Sequence, residues 1–324
     1  MENKPRGFRL VPITEVEMRA PVALIHGVLV RDTLALLYGD SASGKSFLGV
    51  SLSYAVSTGL PWFRRKVRQG PVVYIAGEGQ SGIRRRFAAI EQYQGVPLPP
   101  NLFLHEGVVG LVNDDSADTV VDAITTLSEP PALVVLDTLA RTFGPGDENS
   151  TEDMSAFVAA VDRIREAAQG ATVLIIHHTG LTVKDRARGS YALQCGVDEG
   201  FEVTKRADGQ ITLLGKKSKD TGPVAPMLFR LRGMELTWPN GDVMRDEDGE
   251  IVTSCVLDEA PPDIVPGAPT DDPRLVPGEE YNAIILKKQL GLSDKAASQL
   301  LNQLVKAGAL VASSPGTFLK TPSR

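Results

Sequence analysis

The stretch "YGDSASGKSFLG", Tyr38 to Gly49, limits what this chain can fold into more than any other. Gly39, Gly44, Lys45 and Ser46 stand at the spacing G-x-x-x-x-G-K-[ST]. Before them, "DTLALLYG" is short and apolar, as a buried strand would be. After them, "SFLGVSLSYAVSTG" has helical spacing at Phe47, Val50 and Tyr54 and ends at Gly59. Strand, glycine-rich loop and helix form the context in which this spacing has a mechanism. Small residues let the backbone amides of Gly39, Asp40, Ser41, Ala42, Ser43, Gly44, Lys45, Ser46 and Phe47 curl round a phosphate. The helix N-terminus adds the positive end of its dipole. Lys45 would reach the β- and γ-phosphates of ATP, and the Ser46 hydroxyl would bind Mg²⁺. The plainer reading, a glycine-rich turn with an exposed lysine, leaves both flanks unexplained.

Such a loop needs a carboxylate on the metal side, at the end of a neighbouring strand. "PALVVLDTLAR" supplies it: an apolar run from Leu133 to Leu136, suited to a parallel strand covered on both faces, then Asp137. The next residue is Thr138, not Glu, so the base that activates water must come from elsewhere. Glu78, just past the strand Val72 to Ala76 in "GPVVYIAGEGQSGIRRRF", is placed to orient and deprotonate it. Its alternative role is to cap the following helix. In that helix Arg84 to Arg86 read as an exposed face, with room for one member near the nucleotide. "ATVLIIHHTG" adds a further buried strand, Thr172 to Ile176, ending in His177 and His178. Of two neighbouring side chains at a strand end only one can face the nucleotide, where an imidazole would sense the γ-phosphate. Ligands of open α/β sheets bind at the carboxyl ends of the strands, where all these groups gather.

Taken together, these motifs resemble the RecA-like P-loop ATPases, and in detail the RepA-type hexameric helicase branch. The closest stretches are "AVSTGLPWF", "VVYIAGEGQSGIRRR", "LDTLARTFGPGDENSTEDM", "LIIHHTG" and "RARGSYAL". The likeness covers roughly residues 20 to 235. It implies an α/β fold with a RecA-like core and mostly parallel sheet, and a homohexameric ring that hydrolyses ATP and moves on single-stranded DNA. It also implies Lys45, Ser46, Glu78, Asp137 and His178 in the roles above, and the choice of His178 over His177 rests on it alone. Ring ATPases of this kind complete the site with a neighbour's cation. After a hairpin marked by Asp208-Gly209 comes "KKSKDTGP", which resembles the K-x-R-x-G-P element of that trans-acting finger and offers Lys217 and Lys219. Lys stands where the family has Arg, and Lys cannot make the bidentate fork. Arg188, in "RARGSYA", competes for the same role or for DNA.

Beyond residue 240 the composition changes. From Asp242 to Glu280 there are twelve carboxylates against Arg245 and Arg274, and "DEAPPDIVPGAPTDDPRLVPGEE" has too little apolar material to bury a core. It reads as a linker over residues 258–278. The linker separates an N-terminal segment (1–30) and ATPase domain (31–257) from a small domain over 279–324. In that small domain "EEYNAIILKKQLG" reads as a helix ending at Gly291. "LSDKAASQLLNQLVKAGAL" reads as a second helix, with Ser293 as N-cap and an apolar stripe at Ala297, Leu300, Leu301, Leu304 and Val305. "VASSPGTFLKT" reads as a hairpin. The pattern resembles a winged helix-turn-helix. From Tyr281 onward five Lys and one Arg face one Asp, a local charge of +5 in a chain of net charge −6. Lys295, Lys306 and Lys320 are its candidate DNA contacts, with duplex DNA or a partner protein as the ligand.

The remaining composition excludes other classes. Cys195 and Cys255 lie far apart without metal-ligand spacing, which fits a reducing cytoplasm. "MENKPRGFRL" has no apolar core for a secretory signal, and no apolar run approaches a membrane span. Three functions fit the motifs: a translocating helicase, an ATP-switched DNA-binding regulator, and, least well, a P-loop kinase. Glu78 and the histidine pair suit water activation and sensing better than a small-molecule acceptor.

Overall fold

The computed structural model describes residues 10–18, 20–77, 79–107, 109–180, 187–222, 224–260, 279–291, 293–306, 310–314 and 317–320. Contacts divide the chain into two units, Met1–Asp258 and Glu259–Arg324. In the first, β1 (Ala23–Ile25) and β2 (Leu29–Val30) make a small antiparallel ribbon. The main sheet and its helices follow: β3 (Leu34–Gly39), α1 (Lys45–Thr58), β4 (Val72–Ala76), α2 (Gln80–Gln94), β5 (Leu102–Glu106), α3 (Asp114–Thr125) and β6 (Leu133–Asp137). Then come α4 (Leu139–Thr142), α5 (Thr151–Ala167), β7 (Thr172–His178), α6 (Tyr191–Gly196), β8 (Glu199–Lys205), β9 (Ile211–Ser218), β10 (Met227–Glu235) and β11 (Thr253–Glu259).

Nine strands join in the order β5-β4-β6-β7-β3-β8-β9-β10-β11. Every pair from β5 to β8 is parallel, and β9 and β10 continue the sheet antiparallel. This is an α/β fold with a RecA-like core. The apolar runs at its centre are covered on both faces, and the pleat sorts them. Ala35, Leu37, Val72, Tyr74, Leu133, Val135, Leu174 and Ile176 pack with α1 and α2, through Leu48, Leu52, Ile83 and Phe87. Leu34, Leu36, Ile75, Val134, Leu136, Val173 and Ile175 pack on the other face with α3 and α5. In α5 the buried positions Met154, Phe157, Val161 and Ile164 fall at helical spacing, and Ser150 caps its start by accepting the Asp153 N–H at 3.2 Å. Fully burying each such side chain contributes about 1.5–3 kcal/mol.

Register sets where the strand ends meet. Gly39 of β3 lies level with His178 of β7 and Val203 of β8, and Asp137 of β6 lies level with Ala76 and Ile176. One edge of the parallel sheet therefore carries the ends of β3, β4, β6 and β7. From it the chain turns into α1 through Gly44, at φ +101°, and α1 stops at Gly59, at φ +75°, whose N–H bonds Ala55 O at 2.8 Å.

The second unit contains β12 (Glu280–Tyr281), α7 (Ala283–Leu290), α8 (Asp294–Lys306), β13 (Leu310–Ser314) and β14 (Thr317–Lys320). Its sheet order is β12-β14-β13, antiparallel throughout. Glu280 and Tyr281, which the sequence places in a helix, are instead a strand paired with Leu319 and Phe318. The helix begins after Asn282, whose side chain accepts the Ile285 N–H at 2.9 Å. Tyr281 is buried with Leu286, Ala297, Leu304 and Leu310, and Leu300, Leu301 and Val305 pack against them. The stretch read as a linker lies outside the described residues from 261 to 278.

Candidate active site

The loop from Gly39 to Ser46 closes over its own lysine. Lys45 is 5% exposed, and its Nζ donates to Gly39 O at 2.9 Å and Asp40 O at 2.7 Å. A buried ammonium needs such partners, and two loop carbonyls supply them where a phosphate would replace them. No side chain caps the start of α1, so its first-turn amides are directed at whatever the loop encloses. The loop is packed to backbone tolerance. A Cβ on Gly39 would stand 2.1 Å from Val203 O, and one on Gly44 would stand 2.7 Å from Ile211 Cδ1. Asp40, Ser41 and Ala42 are exposed, Ser43 is buried, and Ser46 and Phe47 are half-buried at the helix start. A groove of about 480 Å³, lined by Asp40, Ser41, Ala42, Thr179, Lys205 and Arg206, opens beside the loop.

Asp137 ends β6 on the face that carries α1, because Leu133 and Val135 point the same way. It is 4% exposed, and its Oδ2 accepts the Tyr74 hydroxyl at 2.6 Å. Ser46 also hydrogen-bonds it. Burial pushes the Asp137 carboxyl above the usual carboxylate range. The two hydroxyl donors and the positive charges of Arg86 and Lys45 pull it back. Burial, followed by the Asp137 charge, holds the Tyr74 phenol well above its ordinary value, so it remains a donor. Of the three arginines of α2, Arg84 and Arg85 are exposed, whereas Arg86 is half-buried with its guanidinium 4.4 Å from the centre of the Phe47 ring.

The pleat also separates the two histidines. His178 shares the α1 face with Leu174 and Ile176, and its Nδ1 lies 3.4 Å from Lys45 Nζ. Lysine cannot accept, so Nδ1 takes the proton contact and Nε2 is the ring's donor. His177 is fully buried on the opposite face, its Nε2 3.0 Å from Arg188 O. Burial there pulls the His177 pKa down to about 4.

The remaining candidates are more dispersed. Glu78 lies outside the described residues. Lys217 Nζ donates to Gln194 O at 2.7 Å and Cys195 O at 3.3 Å, the last carbonyls of α6. Lys219 Nζ pairs with Asp198 at 2.8 Å, and Arg188 Nε lies 3.4 Å from Glu148 Oε2. Within this chain none of the three reaches the loop by a described contact. Lys295 and Lys306 sit on α8 and Lys320 on β14, in the second unit. Tyr74 and Arg86 are what motif reading missed or left open. Tyrosine in an otherwise aliphatic buried strand, "VVYIA", was the available signal, because a buried phenol needs a partner.

The residues present fit Mg²⁺. Ser46 and Asp137 are adjacent oxygen donors at the loop's exit. Among the described residues no group of three or more His, Cys, Asp or Glu could hold a metal by itself. Magnesium asks for little more from a protein, since it keeps several waters and takes substrate phosphates as ligands. A separate, mainly apolar cavity of about 380 Å³ between β5 and α3 is lined by Phe103, Val120 and Ile124 among others, with His105, Ser116 and Thr119 as its polar side chains.

No curated protein matches this chain. Among solved structures, that of the RadB recombinase is similar over 62% of this chain and 88% of its own, at 16% identity and a TM-score of 0.45. Residues 13–182, more than half of the chain, match the AAA domain family, and the chain belongs to that family.

Proposed function

We propose that this chain hydrolyses ATP as one subunit of a hexameric RecA-like ring and moves on single-stranded DNA in the cytoplasm. The observation that supports it most is the meeting of Lys45, Ser46, Asp137 and His178 at one sheet edge. They come from the start of α1 and the ends of β6 and β7, far apart in sequence, with Lys45 Nζ 3.4 Å from His178 Nδ1. In this reading Lys45 and the loop amides bind the β- and γ-phosphates, and His178 Nε2–H senses the γ-phosphate. Ser46 and Asp137 hold Mg²⁺, which when bound neutralises charge on the phosphates. Glu78 orients and deprotonates the attacking water, and a cation from the neighbouring subunit, Lys217, Lys219 or Arg188, completes the site. No helix among the described residues is long and apolar enough to cross a membrane.

ATP turnover with and without single-stranded DNA tests the reading. Lys45→Ala should abolish turnover and weaken nucleotide binding. Glu78→Gln should bind ATP while hydrolysis falls about 10²–10⁴-fold, the usual contribution of a general base. Wild-type turnover in Glu78→Gln would remove the base assignment. DNA-stimulated turnover without strand displacement would replace the motor with an ATP-switched DNA-binding protein.

A further inference from the structure

Tyr74 is a polar side chain that neither the loop nor the hydrolytic groups account for. It is fully buried, and along β4 its neighbours on the same face are Val72 and Ala76, so packing alone would be served by Phe. A buried hydroxyl without a partner is destabilising by about 1–3 kcal/mol. Here the hydroxyl has one specific partner, Asp137 Oδ2 at 2.6 Å on the adjacent strand. The ring is held on two further sides. It meets the Phe87 ring of α2 edge-on, at 5.7 Å between centres and 87° between planes. On the α1 side it fills the space left by Gly49, where a Cβ would stand 3.1 Å from the Tyr74 hydroxyl and 2.7 Å from Ile176 Cδ1. The phenol thus joins α1, α2 and β6 at the carboxylate expected on the metal side.

We propose that Tyr74 is a positioning residue for Asp137: its hydroxyl fixes one carboxylate oxygen so that the other is presented, beside Ser46, to a divalent cation. The inference rests on the ATP-site reading above. Partners of this kind around a metal-side carboxylate orient it, and their loss typically weakens metal affinity or activity about 10–100-fold.

The test is Mg²⁺ titration of the binding of a fluorescent ATP analogue to full-length protein, with wild type, Tyr74→Phe, Asp137→Asn and the double variant. Tyr74→Phe should raise the Mg²⁺ half-saturation about 10–100-fold while binding without Mg²⁺ stays unchanged. In the Asp137→Asn background the same change should have no further effect. Gly49→Ala, which keeps the phenol and crowds its hydroxyl, should shift the Mg²⁺ curve in the same direction, so the test survives if Tyr74→Phe does not fold. A folded Tyr74→Phe with the wild-type Mg²⁺ curve overturns the proposal, as does an equal shift in the Asp137→Asn background. A wild type that binds the analogue without any Mg²⁺ dependence overturns the ATP-site reading and this proposal with it.

Discussion

His177 and His178 are neighbours in the chain, yet one contacts the phosphate loop and the other is sealed against Arg188 on the opposite face. Counting the pleat back from Ile176 would have assigned them from sequence, because alternate residues of a strand share a face. The Tyr74 contact was not legible in that way, since it requires knowing that β4 lies beside β6, a pairing between segments far apart in the chain. Buried His177 also has a consequence for stability. Its folded pKa of about 4 lies below the ordinary value of 6.5, so its contribution is complete above pH 6.5 and is lost as pH falls toward 4. Glu199 does the opposite. Buried at the start of β8, it accepts the Val30 N–H at 3.2 Å and the Thr33 hydroxyl at 3.3 Å, and burial raises its pKa from 4.5 to about 7. Its contribution is complete below pH 4.5 and is lost as pH rises through 7. Each shift corresponds to roughly 3 kcal/mol, with opposite slopes between pH 4.5 and 6.5, so the two offset in the wild type. Chemical denaturation across pH 4.5–8 should separate them. Relative to His177→Gln the wild type should lose stability on acidification, and relative to Glu199→Gln it should lose stability as pH rises. Variant curves that run parallel to the wild type would sink both assignments.

Elements were legible wherever an apolar run was bounded by glycine or a cap, as at α1 between Gly44 and Gly59. The start of α7 was not, because "EEYN" reads as a helical first turn until β14 supplies a partner strand for Glu280 and Tyr281. The order of the parallel strands was equally hidden, since it depends on which crossovers pass over which face. β9 shows how an element can give a residue a role that its motif does not. Lys217 was singled out as a cation for a neighbouring subunit, but in this chain its ammonium bonds the Gln194 and Cys195 carbonyls that end α6. Burial there lowers its pKa, and the contact places a cation at the negative end of a helix. Lys217→Met should therefore lower stability by about 1 kcal/mol in a denaturant titration, the order expected for a charge at a helix C-terminus. A variant as stable as the wild type would mean that the α6 contacts contribute nothing. If Lys217 also acts across a ring interface, mixing Lys217→Met with Lys45→Ala should restore activity through hybrid sites. Mixed activity no higher than that of the two separate variants would leave Lys217 as a helix partner alone.

At the scale of the whole molecule, charge is distributed unevenly along the chain. The stretch from Asp242 to Glu280 is acidic, with twelve carboxylates, and the segment from Tyr281 carries +5. Each unit has its own buried core, the second built on Tyr281, Leu286, Ala297, Leu304 and Leu310. Truncation near Pro277 should therefore leave a folded first unit that still binds nucleotide, as thermal unfolding and analogue binding would report. If the second unit is the winged helix-turn-helix its sequence resembles, the +5 carried by residues 281–324 would attract nucleic-acid phosphate. The isolated unit from about Pro277 onward should then bind duplex DNA weakly, with an affinity that falls steeply with salt. Each phosphate contact releases condensed counterions and contributes about −0.9 to the slope of log K against log salt. Neutralising Lys295 and Lys306 on α8 and Lys320 on β14 should each flatten that slope by about one contact if they touch phosphates. Binding that persists with an unchanged slope would show that other residues carry the contacts. Absence of binding even at low salt, where attraction between these charges is strongest, would remove the DNA reading and leave a partner protein as the alternative to test.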